Sequence, residues 1–405
     1  MKLVSAKRSK KERIGINSWM PYYAGFSQDF VKSAIDYLGV KANDWIIDPW
    51  GGSGTTQVVS ALASINSISI DVNPVMAVCT AAKNPNNIGI IMPSIESIDY
   101  IQCDSKDLLS KYFVEDSAAF LRGLFRNKLN GLKLNERKVI EPELAFNILV
   151  LFKSLNLFVR GNRTSNPTWV KVRRLDKIRI NETEFAKIFK EQFILMQNDL
   201  SNFYPSSKIE TLNFSLCSSN RNLELKDDFF DFLISSPPYL TRIDYANSTA
   251  IENSFLNDEK KFRLLREDTT GTTAIKGIDF IYSNDWGGKC LKFLEEVKNH
   301  KSRASATYYW KSYFQYFSDI SASLDEIIKK MKFGATGILV VQNSYYKEIY
   351  IPLADIYVEM LNMKNVEASV IRREEVNGFY SRINKGANKY LVDKKYSEDF
   401  IFLRK

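Results

Sequence analysis

The chain has 405 residues, of which 45% are hydrophobic, 25% charged and 13% aromatic, and it carries a net charge of +9. This composition excludes a disordered, collagenous or coiled-coil chain, and the length predicts one large α/β domain with an insertion, or two domains. The longest unbroken apolar runs, such as Ile148–Phe152, fall far short of the roughly 20 residues of a membrane span, so no membrane partner is expected.

In chain order, residues 1–13 come first, with six basic side chains (Lys2, Lys7, Arg8, Lys10, Lys11, Arg13) against Glu12. No apolar stretch of the secretory kind follows them. Trp45–Asp48 reads as a short buried strand ending in a glycine-rich turn. Thr55–Ser64 is small and apolar at helical spacing, and Ser67–Asp71 reads as a second strand closed by Asn73 and Pro74. A strand, glycine turn, helix and strand in that order open a doubly wound parallel sheet.

From about Val75 to Gln197 the pattern is mostly helical, clearest over Glu141–Phe158. Within it, residues 160–190 set nine basic side chains against three acidic ones. The two basic stretches together exceed the net charge of the chain, so the remainder is slightly acidic. Charge concentrated in this way is either a solvated basic face or the footprint of a polyanion. Gly161, Asn162, Thr164, Ser165, Asn166 and Trp169 are interleaved there and supply hydrogen-bonding and stacking groups of the kind that touch phosphates and bases.

Strand character returns at Asp228–Ser235, which runs into Ser236, Pro237, Pro238 and Tyr239. Residues 266–300 mix Thr, Gly, Asn and Asp and predict a mobile loop. A helix over about Tyr313–Met331 precedes a buried strand, Gly337–Gln342, and Glu367–Arg372 and Asp399–Leu403 read as paired edge strands.

Cys79, Cys103, Cys217 and Cys290 are far apart and form no CxxC pair, which predicts neither a disulfide framework nor a metal centre and fits a reducing cytoplasm. The single histidine, His300, excludes multi-histidine metal sites and any Ser-His-Asp triad that does not use it. Flanked by Lys298 and Lys301, it is expected on the solvated surface.

Two blocks carry chemistry. In Asp48-Pro-Trp-Gly-Gly-Ser-Gly-Thr-Thr56, three glycines let the backbone approach a ligand where the turn opens onto a helix. Asp71, twenty residues beyond Gly51, is placed to accept from ribose hydroxyls. No Lys follows the last glycine, so this is not a diphosphate loop, and a nucleoside-type cofactor suits it. In Ser236–Tyr239, the two prolines fix the backbone and remove donors, leaving carbonyl oxygens to face an exocyclic amine. Tyr239 offers a flat face to an extruded base. A plain proline turn after a core strand is the alternative.

The two blocks together, with Ser67–Pro74 between them, resemble the DNA amino-methyltransferases that use S-adenosyl-L-methionine on cytosine N4 or adenine N6. The likeness covers roughly 15–110 and 212–350. It implies an α/β fold with a Rossmann-like, doubly wound methyltransferase sheet and a largely helical insertion. The implied divisions are a cofactor-binding half over 1–110, a helical, basic insertion for target recognition over 111–211, and a catalytic half over 212–405. It further implies that Asp48, Pro49, Gly51, Ser53, Gly54 and Thr55 surround the methionine moiety, that Asp71 holds the ribose, and that Phe26 and Ser27, in the similar segment Pro21–Ser27, close the pocket. Ser219 takes the place beside the adenine where the family usually has an acid; Asp104 is the alternative supplier. Ser236, Pro237, Pro238 and Tyr239 would hold the target amine and base.

By the same resemblance, Ser at the first position of the proline block leans toward cytosine N4. Arg163, Trp169, Lys171, Arg173 and Arg174 are the candidate readers of double-stranded DNA, with 266–300 as rival, and a cognate restriction endonuclease is the implied partner. An RNA base methyltransferase and a silent nucleic-acid-binding subunit are the competing readings, and cofactor binding separates the last from the others.

Overall fold

The computed structural model describes residues 2–9, 11–21, 25–131, 138–162, 170–173, 176–204, 211–240, 244–277, 279–376 and 394–405. Its strands are β1 (Trp45–Asp48), β2 (Asn66–Asp71), β3 (Asn213–Cys217), β4 (Phe230–Ser235), β5 (Met331–Gln342), β6 (Ser344–Tyr346), β7 (Ile349–Ile351), β8 (Glu367–Glu375) and β9 (Ser397–Arg404). The α-helices are α1 (Gln28–Leu38), α2 (Thr55–Leu62), α3 (Pro74–Ala82), α4 (Glu115–Gly123), α5 (Pro142–Val159), α6 (Glu182–Phe203), α7 (Tyr245–Ser248), α8 (Ala250–Leu256), α9 (Glu259–Asp268), α10 (Gly287–Asn299), α11 (Trp310–Lys330) and α12 (Leu353–Met363).

Seven strands form one sheet in the order β3-β2-β1-β4-β5-β9-β8, parallel from β3 through β5. Consecutive apolar residues go to opposite faces, as a sheet covered on both sides requires. Ile46, Ile234, Ile338 and Val340 join Phe30, Val31 and Ala34 of α1 and Val59 of α2. Ile47, Leu233, Leu339 and Val341 join Phe293 of α10, Phe314 and Phe317 of α11 and Tyr357 of α12. The doubly wound α/β fold expected from the opening strand–turn–helix unit is present.

The segment between β2 and β3 is built on helices, as expected. A third cluster joins α3 to α4, α5 and α6, through Val75 and Val78, Phe120, Phe146 and Phe152, and Phe185, Phe189 and Phe193. The stretch Pro142–Asn162 is long and apolar enough to cross a membrane, but 61% of its most apolar window is buried inside the protein. It is the spine of that cluster.

Three expectations are corrected. Residues 287–299 of the expected loop are helix α10, because Cys290, Phe293, Leu294 and Val297 recur at helical spacing and bury against the sheet. Of the paired C-terminal strands only β8 is an edge; β9 lies between β5 and β8, antiparallel to both, and Phe400 and Ile401 are fully buried on opposite faces. His300 is not solvated: its side chain is 10% exposed, Nε2 is 2.9 Å from Glu348 Oε1, and Nδ1 accepts from the Ser302 amide.

Candidate cofactor and target-base site

The sheet order reverses between β1 and β4, and ligands of such sheets bind outside the carboxyl ends of the strands at that point. Asp48 ends β1 there and Ser235 ends β4. Asp48 is 1% exposed; its Oδ1 accepts from Ser235 Oγ at 2.5 Å and from the Trp50 amide at 3.2 Å, and its Oδ2 accepts from Thr56 Oγ1 at 2.8 Å. Burial pushes the Asp48 carboxyl up to about 6 against the downward pull of these bonds. Its place is therefore in the framework under the site, joining the glycine turn, α2 and the residue before the Ser-Pro-Pro-Tyr turn.

The glycine turn is held from beneath. A Cβ at Gly51 would lie 1.9 Å from Ser69 Oγ, so β2 admits only glycine, and Gly54 takes φ +78° with Thr80 against it. Thr80 Oγ1 donates to the Gly52 carbonyl at 3.1 Å, and the buried Lys83 Nζ donates to the Ser53 carbonyl at 2.6 Å. Burial lowers the pKa of the Lys83 ammonium.

Asp71 Oδ2 accepts from the Gly52 amide at 3.0 Å and Oδ1 from the Asn73 amide at 2.8 Å, and burial pushes this carboxyl too up to about 6. Beside it, β3 runs parallel to β2 with Cys217 opposite Asp71, so the loop from Ser218 leaves on the cofactor side. Asn220 anchors that loop by donating to the Pro49 carbonyl at 3.4 Å, and Arg221 is 3.0 Å from Asp319. Ser219 Oγ accepts from the Arg221 amide. Asp104 sits in an exposed turn, capping the amides of Lys106 and Asp107, and no strand precedes it.

At the second turn, Ser236 Oγ donates to the Val340 carbonyl at 3.0 Å and lies 3.4 Å from Tyr239 Oη. Tyr316 Oη donates to the Pro238 carbonyl at 2.8 Å. Of the carbonyls left outward-facing on sequence grounds, Pro238's is thus occupied by α11. Burial pushes the Tyr239 and Tyr316 hydroxyls well above the usual tyrosine range, so both remain protonated. Asp244, farther along, binds Arg266 at 2.7 Å and caps α7.

One small cleft touches both turns: Trp50, Gly51, Ser53 and Thr55 from the first, Ser236 from the second, with Gly25 and Phe26 also lining it. Its donor set fits a polar nucleoside-type ligand. Trp50 Nε1, in the wall, and Ser218 Oγ, at the Asp71 end, are buried and have no partner among the described residues. Arg8, which the sequence presents only as one of a basic run, bonds to three residues of this cleft: Nη2 donates to Ser53 Oγ at 2.9 Å and Thr55 Oγ1 at 3.1 Å, and Nε to the Phe26 carbonyl at 3.2 Å.

No protein-family model matches the chain. Curated relatives do, among them the following. Type II methyltransferase M.BsoBI of Geobacillus stearothermophilus is 23% identical over 66% of this chain and 57% of its own length. Type II methyltransferase M.AvaI of Nostoc sp. is 24% identical over 63% and 57%, and Type II methyltransferase M.MvaI of Kocuria varians 24% over 79% and 75%. The chain is thus similar, at 23–24% identity, to proteins named Type II methyltransferases. It spans little more than half the length of the first two. The α/β sheet described above is of the Rossmann-like, doubly wound kind.

Not every residue implied by the methyltransferase resemblance reaches the cleft. Phe26 does. Ser27 is instead the N-cap of α1, accepting from the Phe30 amide at 3.0 Å and donating to the Ser5 carbonyl. Tyr22, Tyr23 and Ala24 lie outside the described residues, as do Arg163, Trp169 and Arg174. Lys171 and Arg173 are exposed; Lys171 donates its amide to the Asn162 carbonyl.

Proposed function

We propose that this chain transfers a methyl group from S-adenosyl-L-methionine to the exocyclic amine of a flipped base in double-stranded DNA, with cytosine N4 favoured over adenine N6, as the modification half of a restriction-modification system. The observation that carries this reading is the Asp48–Ser235 bond at the switch point: it couples a cofactor-type glycine turn to an amine-binding proline turn across one shared cleft. The family of the relatives supports the same reading.

S-adenosyl-L-methionine supplies an electrophilic methyl group on a sulfonium. The chain does the positioning. Gly51, Ser53, Gly54 and Thr55 line the methionine end, Asp71 accepts from the ribose, and the Ser218–Ser219 loop borders the adenine. The carbonyls of Ser236 and Pro237 accept the amine hydrogens, which turns the nitrogen lone pair toward the methyl carbon. Tyr239 stacks on the base. Holding the amine in line in a dry, dipole-lined pocket lowers the barrier without a covalent enzyme intermediate. The insertion over 111–211 reads the target, with Arg163, Trp169, Lys171, Arg173 and Arg174 on its basic stretch, and extruding the base costs a few kcal/mol, offset by stacking and phosphate contacts.

The test is transfer of tritium from methyl-labelled S-adenosyl-L-methionine to mixed-sequence duplex DNA and, in parallel, to RNA. Label in DNA supports the reading; label in RNA alone replaces it with the RNA reading.

A further inference from the structure

The N-terminal arm is built into the fold rather than laid on its surface. Leu3 and Ala6 are buried beside α1, the Val4 amide donates to Ser33 Oγ at 3.1 Å, and the Ser27 amide donates to the Ala6 carbonyl at 2.8 Å. These contacts fix where Arg8 leaves the arm. Its guanidinium then lies across the cleft wall on Phe26, Ser53 and Thr55. The facing residue is Gly25, where a Cβ would lie 2.4 Å from Arg8 Nη2, so even alanine there would displace the guanidinium.

A second cation stands behind the same turn. Lys83 is 3% exposed, and its ammonium donates to the Ser53 carbonyl while Arg8 donates to the Ser53 hydroxyl. Both Ser53 groups are neutral dipoles, and α2 begins two residues later with its own free amides. Two basic side chains thus converge on Ser53, beside the start of α2.

Resting on the cofactor reading above, we infer that Arg8 binds the carboxylate of the methionine moiety and so sets which way round that moiety enters. The carboxylate is the one anionic group of S-adenosyl-L-methionine; its ammonium and sulfonium are cations and cannot accept from the Arg8 guanidinium. The orientation that presents the carboxylate to Arg8, with the Ser53 and Thr55 hydroxyls beside it, sets an acceptor against these donors. Arg8 is a cofactor-orienting residue, supplied from some 45 positions before the turn it completes.

Titration calorimetry of the full chain with S-adenosyl-L-methionine and with its decarboxylated analogue tests this. The wild type should bind the carboxylate-bearing form more tightly. Arg8→Gln should weaken that form by about 10- to 100-fold, as loss of a charge-assisted contact does, and change the decarboxylated form by less than about threefold. Arg8→Lys should recover part of the loss. Equal weakening of both ligands, or of neither, would overturn the assignment, the first by making Arg8 a support of the fold. A wild-type chain that binds neither ligand would overturn the cofactor reading itself, and the inference with it.

Discussion

The Ser235 hydroxyl donates to Asp48 Oδ1 at 2.5 Å, joining the ends of β1 and β4 where the strand order reverses. Because Ser236 follows directly and the glycine turn begins at Pro49, this single bond sets the spacing of the two turns that face the shared cleft. The carboxylate that makes it is held in a place that disfavours its charge.

The pH dependence of stability follows from that. Asp48 has a pKa of about 6 in the folded chain against 3.8 as its ordinary value. Between those values the folded state holds the extra proton, so Asp48's contribution is most favourable at low pH and is lost as pH rises to about 6. The loss amounts to about 3 kcal/mol. Asp48→Asn cannot titrate, so its stability relative to wild type should improve by about that much between pH 4 and pH 7, whatever its absolute level. Urea unfolding at several pH values measures it; a constant gap would refute the assignment.

Gly51 is required by Ser69 rather than by a turn angle. Gly51→Ala drives a methyl group into the Ser69 hydroxyl and should cost about 1–3 kcal/mol of stability and weaken cofactor binding. Removing the hydroxyl as well, in Gly51→Ala with Ser69→Ala, should recover part of both. A double-mutant cycle with no coupling would show that the clash is relieved some other way.

Tyr316 holds the second turn by its hydroxyl on the Pro238 carbonyl, and that hydroxyl is also 3.0 Å from Tyr357 Oη. Tyr316→Phe leaves the carbonyl without this donor and should slow methyl transfer by about tenfold, equivalent to the 1–2 kcal/mol of one buried hydrogen bond. The Kd for S-adenosyl-L-methionine should stay within about twofold, since no cofactor-side contact changes. An unchanged transfer rate would mean that the Tyr316 bond does not hold the turn that positions the amine.

Much of this was legible in the sequence because it is local. Asp48 through Thr56 and Ser236 through Tyr239 announce themselves by glycine, proline and the strands that precede them, and β1, β2 and β4 fall within two residues of where the apolar runs place them. What was not legible depends on contacts distant in the chain. Nothing around Arg8 distinguishes it from Lys7 or Lys11; its placement comes from an arm packed on α1, and Gly25 leaves room for its guanidinium. Helix α10 was passed over because Gly287 and Gly288 and the polar run before them mask the Cys290–Val297 apolar face. The interior place of β9 depends on its pairing with β5 on one side and β8 on the other, contacts made across long separations in the chain.

Lys171 and Arg173 are exposed on the basic stretch. If they neutralise phosphates, Lys171→Gln with Arg173→Gln should weaken duplex binding at low salt and reduce the slope of log affinity against log salt by about 0.9 for each contact removed. Cofactor affinity should not move. A salt slope equal to that of the wild type would place the DNA contacts elsewhere.

The central claim is tested most directly by the product. The chain is incubated with S-adenosyl-L-methionine and mixed-sequence duplex DNA, the DNA is digested to nucleosides, and methylated bases are identified by mass spectrometry. The account predicts N4-methylcytosine, absent when the cofactor is withheld. N6-methyladenine in its place would keep the mechanism and contradict the target base, and no methylated nucleoside from a chain that binds the cofactor would contradict the proposed DNA methylation.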